Sequence, residues 1–186
     1  MSVLRRPEEN EFPPSGKIYV SQVYSDDVIQ VLTEQIGKTA MLLRSLRDEE
    51  AMTAYAPGKW TVKQVVGHMS DAERIFAYRI LRIARGDTTP LAGFEQNEYV
   101  PRAGSNERTL HDLLQEFATV REATFTLLRG LPDEAWDRFG TASGSSVSVR
   151  GVVFMMAGHE LHHYKILRDR YLQDVSESSS SNTLGG

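Results

Sequence analysis

The sequence predicts an all-α protein that folds as a single four-helix bundle. Its 186 residues suit one domain, because domains usually contain ~100–200 residues. Four segments of roughly 20–25 residues repeat apolar side chains every three or four positions, which is the spacing of one buried helix face. No segment alternates apolar and polar residues with comparable strength. An antiparallel helical bundle is therefore the economical architecture.

The first two predicted helices cover residues 26–46 and 61–86. Both keep the three-to-four spacing of a buried face. The second begins at Thr61, and Gln64 three positions later completes a capping-box pattern, in which each side chain bonds the other residue's backbone N–H. This helix is expected to end near Gly86, because glycine readily takes the left-handed conformation that follows a helix.

The other two predicted helices cover residues 106–129 and 148–172. The third stops where Gly130 and Pro132 follow, since these residues end helices. The fourth helix has a buried stripe in which two histidines stand among mainly apolar residues: Val149, Val152, Met156, His159, His163, Ile166 and Arg170. This stripe contains the candidate chemistry.

The segments around the helices divide the chain into three parts. Residues 1–24 contain three prolines and are expected to form an irregular arm on the bundle. The bundle occupies residues 25–175. Residues 176–186 are rich in Ser, Asn and Gly and are expected to be a disordered tail.

Two connections are long enough to have structure of their own. Residues 87–105 join the second and third helices, and a connection of this length could cover a pocket as a lid. Residues 132–138 suit one short helical turn, and the Gly- and Ser-rich residues 139–149 suit a small hairpin.

The composition narrows the class of protein. The formal net charge is -4 and the basic residues are scattered, so no basic stripe is available to nucleic acid. No apolar run approaches the roughly 18 residues needed to cross a bilayer, and the N-terminus lacks the apolar core of a signal peptide. Cysteine is absent, which excludes thiolate metal sites and fits a reducing compartment. We therefore expect a cytoplasmic protein that acts on a small molecule and contacts neither membrane nor nucleic acid.

Three histidines form a candidate metal site. His159 and His163 are four positions apart on one helix face, so their rings lie one above the other and can converge on one ion. His68 lies about one position off the apolar stripe of the second helix and also points inward. Three ligands leave one coordination position open, which is typical of a reactive site, and imidazole suits Zn, Ni or Fe. The alternative is a set of core histidines satisfied by hydrogen bonds.

Other polar residues near these histidines are candidates for supporting roles. Glu160 and His162 are candidate catalytic residues, for proton transfer beside a metal. Asp71 and Glu160 could instead orient an imidazole as hydrogen-bond acceptors, or simply lie on a solvated helix face. His111 lies off the apolar stripe of the third helix and is expected at the surface.

A substrate pocket is expected beneath the connection of residues 87–105. Trp60, Phe94 and Tyr99 could provide its apolar contacts. Arg79 lies three helical turns after His68 on the same face, where its guanidinium needs a counter-charge. It could bind an anionic group of a substrate, or form a salt bridge to a neighbouring helix.

Residues 159–163 read HELHH and match the H-E-x-x-H pattern of zinc peptidases, with Glu160 as the general base. Such enzymes need a third ligand downstream and a sheet edge that holds the substrate. After His163 the chain offers only about two helical turns and a Ser-rich tail. His68 lies upstream, in an order that the peptidases do not use, so the peptidase interpretation is disfavoured.

Two parts of the sequence resemble DinB-like proteins. Residues 58–68 (GKWTVKQVVGH), followed by DAER at residues 71–74, resemble the start of the second helix of that family. Residues 149–152 (VRGV), leading to GHELHH at residues 158–163, resemble its fourth helix. The resemblance covers about residues 25–172, and the two elements are fairly specific in combination.

The resemblance implies an up-down-down-up four-helix bundle, often a homodimer, with nickel or zinc bound to the residues that match His68, His159 and His163. Relatives with assigned roles include low-molecular-weight thiol S-transferases, such as those that use bacillithiol, and the mycothiol-dependent maleylpyruvate isomerase. The first hypothesis is therefore a divalent-metal-dependent enzyme, with thiol S-transfer favoured over hydrolysis by water. The competing hypothesis is a non-catalytic protein that binds a metal or a small ligand.

Overall fold

The computed structural model describes residues 5–172 and confirms an all-α four-helix bundle with a small antiparallel hairpin. The elements in chain order are α1 (Lys17–Val20), α2 (Val28–Leu43), α3 (Val62–Ala84), α4 (Gln96–Tyr99), α5 (Leu110–Arg129), β1 (Phe139–Ala142), β2 (Ser145–Ser148) and α6 (Val149–Ile166). The four long helices α2, α3, α5 and α6 form the bundle. The predicted tail at residues 176–186 lies outside the described residues.

Side-chain caps fix where the long helices begin. The predicted capping box is present at α3, where Gln64 N donates to Thr61 Oγ1 and Thr61 N donates to Gln64 Oε1. Helix α5 begins later than predicted, because Thr109 caps it and the preceding residues form the 3₁₀ turn Ser105–Glu107. Helix α6 is also shorter than predicted, since its last turn widens into the π-helical turn Leu167–Tyr171.

The buried apolar residues form two core clusters. The first core cluster is centred on Leu32, Ile80, Phe125 and Val153. The second core cluster is centred on Leu43, Val65, Leu113 and Leu167. Between the two, along the long helices, lies a set of buried polar side chains, which we call the polar layer: Gln35, Thr39, His68, Glu73, Arg121, Thr124, His159, Glu160 and His163. The three candidate metal ligands therefore lie at mid-height in the bundle.

The order in which each helix meets the two clusters defines the helix directions. Along α2 the chain passes Leu32 of the first cluster before Leu43 of the second. Helix α3 runs the other way, from Val65 to Ile80, and α5 runs in the same direction as α3. Helix α6 again runs from the first cluster to the second. The topology is up-down-down-up.

A buried ion-pair cluster joins the four helices within the polar layer. The Arg121 side chain on α5 is 1% exposed and donates to both carboxylate oxygens of Glu73 on α3, at 2.8 Å each. It also donates to Glu160 on α6 and to the carbonyl oxygen of Leu32 on α2, again at 2.8 Å. Thr39 on α2 donates to the other oxygen of Glu160. Each helix thus contributes to one charge-assisted network, which is stronger than a set of neutral hydrogen bonds.

The N-terminal arm is more regular than its prolines suggested. It consists of the 3₁₀ turns Glu9–Glu11 and Pro14–Gly16 and the short helix α1, which packs on α6. Its close approach depends on two glycines of α6: an added Cβ on Gly151 or Gly158 would lie 2.0 Å from a carbonyl oxygen of the arm. The two glycines are seven positions apart, which places them on the same face of the helix two turns apart.

Replacing Gly158 with alanine is expected to destabilise the protein by about 1–3 kcal/mol, because the new Cβ would clash with the backbone of Tyr19 and displace α1. The matched control is Gly37→Ala in α2, where nothing lies within 4 Å of the added Cβ. Alanine there is expected to stabilise by roughly 0.5–1 kcal/mol through helix propensity. Urea unfolding of both variants measures the two changes, and a stabilising Gly158→Ala would contradict the packing of the arm.

The hairpin and the connection of residues 87–105 pack against each other. Strands β1 and β2 pair antiparallel, with Phe139 opposite Ser148, as the Gly- and Ser-rich sequence suggested. Leu91 N donates to Thr141 O, and Ser143 N donates to Leu91 O, so the hairpin tip holds the start of the connection. The connection also contains α4, so it is not structureless. Among residues 5–172, no helix combines the length and apolar character needed to cross a bilayer.

Candidate metal centre

Helices α3 and α6 bring three imidazole rings to one point in the polar layer. The Nε2 atoms of His68 and His159 are 3.0 Å apart, and those of His159 and His163 are 3.2 Å apart. One ligand atom from each ring lies within 4.8 Å of the other two. Among residues 5–172 this is the one group of three or more potential ligands with such convergence, and it contains no carboxylate. The structure therefore brings together the three residues that the sequence nominated.

The spacing of these nitrogens suits a shared cation. Ligands at 2.0–2.1 Å from a tetrahedral ion are separated from each other by about 3.3 Å, close to the distances found here. Hydrogen bonds among the three rings cannot satisfy all three Nε2 atoms. Each ring nitrogen carries either one proton or one in-plane lone pair, so it can make one good hydrogen bond. His159 Nε2 faces two other nitrogens and can make one good hydrogen bond with them. A divalent ion would satisfy all three rings.

The three rings are held in the neutral form that binds metals. Burial lowers the pKa of His68 from 6.5 to about 4. Burial also lowers the pKa of His159 and His163 well below the usual range, and the positive charge that neighbouring histidines would gain on protonation lowers it further. Metal binding at neutral pH therefore displaces no protons from these rings.

Metal-free protein is expected to lose stability as the pH falls from about 7 towards 4. Between the ordinary pKa of 6.5 and the folded-state pKa of about 4, His68 of the unfolded chain takes up a proton that the folded chain does not. The loss from His68 alone is about 2 kcal/mol at pH 5 and about 3 kcal/mol at pH 4, and above pH 7 its contribution is constant. Urea unfolding in EDTA at pH 7.5 and pH 5 measures this change. A His68→Gln variant should have a shallower pH dependence, and an equal slope in both proteins would contradict the assignment.

Aromatic rings surround the three histidines. The Trp60 ring centroid is 4.8 Å from that of His68. The Phe76 and Tyr19 rings lie edge-on to His159, with centroids at 5.8 and 5.5 Å. Sequence reasoning missed both roles. Phe76 could have been found, since it lies about two helical turns after His68 on α3, whereas nothing in the sequence places Tyr19 there.

A cavity of about 220 Å³ lies beside the centre. His163 is part of its wall, together with Trp60 and the following residues: Tyr55, Gly58, Lys59, Val65, Asn97, Ile166 and Tyr171. Tyr171 is fixed there because its hydroxyl donates to the carbonyl oxygen of Trp60 at 2.6 Å. This cavity gives a small ligand a place next to the histidines.

The two carboxylates nominated beside the ligands are engaged elsewhere. Glu160 is buried, and its two oxygens accept hydrogen bonds from Thr39 and Arg121. Asp71 pairs with Arg74 at 3.5 Å. None of the described carboxylates hydrogen-bonds a ring nitrogen of the three histidines. The prediction that Glu160 acts as a general base or orients an imidazole does not fit this geometry, and neither does the orienting role of Asp71.

Three of the four residues assigned to a common substrate pocket lie away from the histidines. Arg79, Phe94 and Tyr99 line a separate cavity of about 290 Å³, to which Trp60 does not contribute. The Phe94 and Tyr99 rings contact each other, with centroids 5.4 Å apart. The reason is distance along the helix: eleven residues separate His68 from Arg79, which is about 16 Å. The single pocket expected from the sequence is two cavities.

The remaining histidines have different surroundings. His162 is half-buried, with its ring centroid 5.4 Å from that of His163 and 5.7 Å from that of Tyr19. Burial lowers the pKa of His162, and its side chain lines a cavity of about 610 Å³ outside the triad. His111 is exposed, as expected, and lines a further cavity between α2 and α5.

The fold and the centre together define a class of protein: up-down-down-up helical bundles with three converging histidines on two helices. The model of the DinB superfamily matches residues 32–167, and the chain belongs to that superfamily. It is similar to an Oceanobacillus iheyensis protein named "Putative metal-dependent hydrolase", with 28% identity over 159 residues that cover 81% of this chain and 89% of that one.

Two solved structures share the fold. YfiT from Bacillus subtilis, described as a probable metal-dependent hydrolase with an unusual four-helix bundle topology, superposes with a TM-score of 0.75 at 19% identity, covering 92% of this chain and 94% of that chain. The mycothiol-dependent maleylpyruvate isomerase superposes with a TM-score of 0.64 at 14% identity, covering 78% of this chain and 61% of that chain. These likenesses support the bundle topology.

Proposed function

We propose that this protein is a divalent-metal-dependent enzyme in which His68, His159 and His163 hold a nickel or zinc ion. The convergence of three buried, neutral Nε2 atoms is the observation that carries the proposal. When bound, such an ion lowers the pKa of a coordinated thiol or water to near neutrality and so prepares a nucleophile. Names of relatives that refer to metal-dependent hydrolases are consistent with a metal here.

The residues of this chain supply the surroundings of the reaction. Trp60 and Phe76 exclude water from two sides of the triad, which strengthens electrostatic interactions at the centre. The cavity beside His163 would hold the small-molecule substrate against Trp60 and Tyr171. His162 is the nearest additional ring to His163 and is the candidate proton carrier.

Within this class we favour low-molecular-weight thiol S-transfer over hydrolysis. Attack by water is helped by a general base beside the ion. Glu160 and Asp71, the carboxylates closest in sequence to the ligands, are both held by arginines. A thiol needs less help, since its ordinary pKa is already about 8.5. The structural likeness to a mycothiol-dependent isomerase agrees with a thiol reaction.

A paired assay on metal-analysed protein tests the proposal. Elemental analysis establishes the metal, and turnover is then followed with monochlorobimane as electrophile in the presence and absence of bacillithiol, mycothiol or glutathione. Thiol S-transfer predicts turnover that requires both metal and a thiol. Thiol-independent hydrolysis of 4-nitrophenyl acetate that EDTA abolishes would support the hydrolase alternative. Metal-loaded protein that turns over neither substrate would favour a non-catalytic binding protein.

We further propose a cytoplasmic homodimer. The absence of cysteine in the sequence supports the cytoplasmic location. The dimers implied by the family resemblance support the homodimer. Light scattering on the purified protein tests the dimer, and a mass equal to one chain across the micromolar range would contradict it.

A further inference from the structure

The guanidinium of Arg79 is buried and held rigidly in the wall of the 290 Å³ cavity. Its side chain on α3 is 8% exposed. The Nη2 atom donates to the carbonyl oxygen of Ala92 at 3.1 Å and to Ser143 Oγ at 2.9 Å. The two acceptors belong to the connection after α3 and to the hairpin tip. Three separate segments therefore meet at this side chain.

The charge of Arg79 has no carboxylate partner within 4 Å in the described part of the chain. The buried polar groups include its Nε, which has no hydrogen-bond partner, and Nη1 makes no hydrogen bond in residues 5–172. Burial without a counter-charge lowers the pKa of Arg79. Buried charges are costly unless they are paired. An arginine left in this state inside a cavity is poised for an anion from outside the chain.

The neighbouring arginine in the same wall is neutralised. Arg82 pairs with Asp87 and contacts the Tyr78 ring, with its guanidinium carbon 5.3 Å from the ring centroid. Arg79 and Arg82 thus differ in what they can offer a ligand, although both line the cavity. Arg82 provides a matched control for the effect of Arg79.

The hairpin tip contacts Arg79 through its turn. Ser143 and Gly144 are the two residues between β1 and β2, with φ 51° and 76°. A positive φ at both central residues is what a type I′ hairpin turn requires, so this conformation is the ordinary one for a two-residue loop. The turn places the Ser143 hydroxyl on Nη2 of Arg79, and the neighbouring Gly93 lies so close that an added Cβ would be 3.3 Å from Ser143 Oγ.

The rest of the cavity is largely apolar. Its wall contains two aromatic rings in contact, Phe94 and Tyr99, together with Pro90 and Ile75. A volume of about 290 Å³ suits a small molecule, at the lower end of the usual range for ligand pockets. An apolar wall around one unpaired guanidinium matches a molecule with a carboxylate at one end and an aromatic or aliphatic body.

We propose that this cavity is a second ligand site, separate from the metal centre, that binds a small aromatic or branched aliphatic carboxylate with its carboxylate on Arg79 and its body against Phe94 and Tyr99. The site does not depend on the metal. It therefore stands or fails independently of the proposed enzymatic function.

Titration of metal-loaded protein with benzoate, followed by calorimetry and by NMR, tests the site. We expect saturable binding of one benzoate per chain and clearly weaker binding of neutral benzamide. Arg79→Gln is expected to weaken benzoate binding by about tenfold or more, because it removes the charge-assisted hydrogen bond. Arg82→Gln, which removes a charge already paired with Asp87, is expected to change it less than threefold.

A second variant covers the case in which Arg79→Gln does not fold. The Tyr99 ring is 48% exposed, so Tyr99→Ala should leave the fold intact and still weaken benzoate binding by removing one wall of the cavity. Equal binding of benzamide and benzoate, or no saturation at millimolar benzoate, would overturn the proposal. So would benzoate binding that disappears with EDTA yet survives both substitutions, because it would place the ligand on the metal.

Discussion

A His163→Ala variant is expected to purify without a stoichiometric divalent metal, whereas the unmutated protein retains a full equivalent. His163 Nε2 is one of three converging ligand atoms, and two imidazoles would leave two positions of a tetrahedral ion without a protein ligand. Loss of residues that merely orient a ligand costs 10–100-fold in metal affinity. Removal of the ligand itself should therefore cost more than about 100-fold. Elemental analysis after dialysis, together with a competitive chelator titration, measures both quantities.

The matched control is His162→Ala. This ring is adjacent in sequence and only 5.4 Å from His163 by centroid, yet it does not belong to the converging group. The His162→Ala protein should retain the metal, and any loss of activity in it would then be assigned to proton transfer. Circular dichroism shows whether both variants fold. A folded His163→Ala protein that still carries a full equivalent of metal would disprove the ligand set.

The histidine centre was predictable because its geometry is mostly local. The i, i+4 spacing of His159 and His163 guarantees that the two rings lie on one face of a helix. The inward position of His68 followed from the apolar stripe of its own helix. The one non-local requirement was that His68 on α3 lie at the same level along the bundle axis as the two histidines on α6. The up-down-down-up topology sets that alignment. The family resemblance supplied that topology, which periodicity alone does not define.

The pocket assignments failed where distance along the helix mattered. Helical periodicity places Arg79 on the same face of α3 as His68, and a shared face suggested a shared site. The axial separation of about 16 Å puts them in different cavities. The role of Tyr19 was hidden for another reason: it depends on the arm lying flush against Gly158, and a single glycine in a helix does not reveal what packs on it.

The buried ion-pair cluster could not be predicted from the sequence either, because each of its members resembles a solvated residue when taken alone. Glu73 and Arg121 each directly follow a residue of the apolar stripe, where a polar side chain at the edge of the buried face is ordinary. Glu160 stands next to a proposed ligand and so suggested chemistry. Only the assembled bundle shows that all three point inward and form one hydrogen-bonded ion-pair network.

Replacing Arg121 with methionine is expected to destabilise the fold by about 3–5 kcal/mol, since it strands buried carboxylates without their partner. A change of this size lowers the melting temperature of a chain this long by roughly 10 °C. The matched control is Arg74→Met, which breaks the partly exposed pairs to Asp71 and Glu116. Exposed ion pairs contribute about 0–1 kcal/mol, so this variant should unfold close to the unmutated protein. Urea unfolding in EDTA compares the variants without a contribution from metal.

The pH dependence of the Arg121→Met variant separates a stranded charge from lost packing. Burial raises the pKa of Glu160 even while Arg121 and Thr39 oppose the rise, so removing the guanidinium should raise it further. The folded variant would then bind a proton that the unfolded chain lacks, and its deficit relative to the unmutated protein would shrink as the pH falls from 7 to 5. The histidines titrate in both proteins, so their contribution cancels in the difference. A deficit that stays constant across this range would mean that Arg121 stabilises the bundle through its packing and not through its charge.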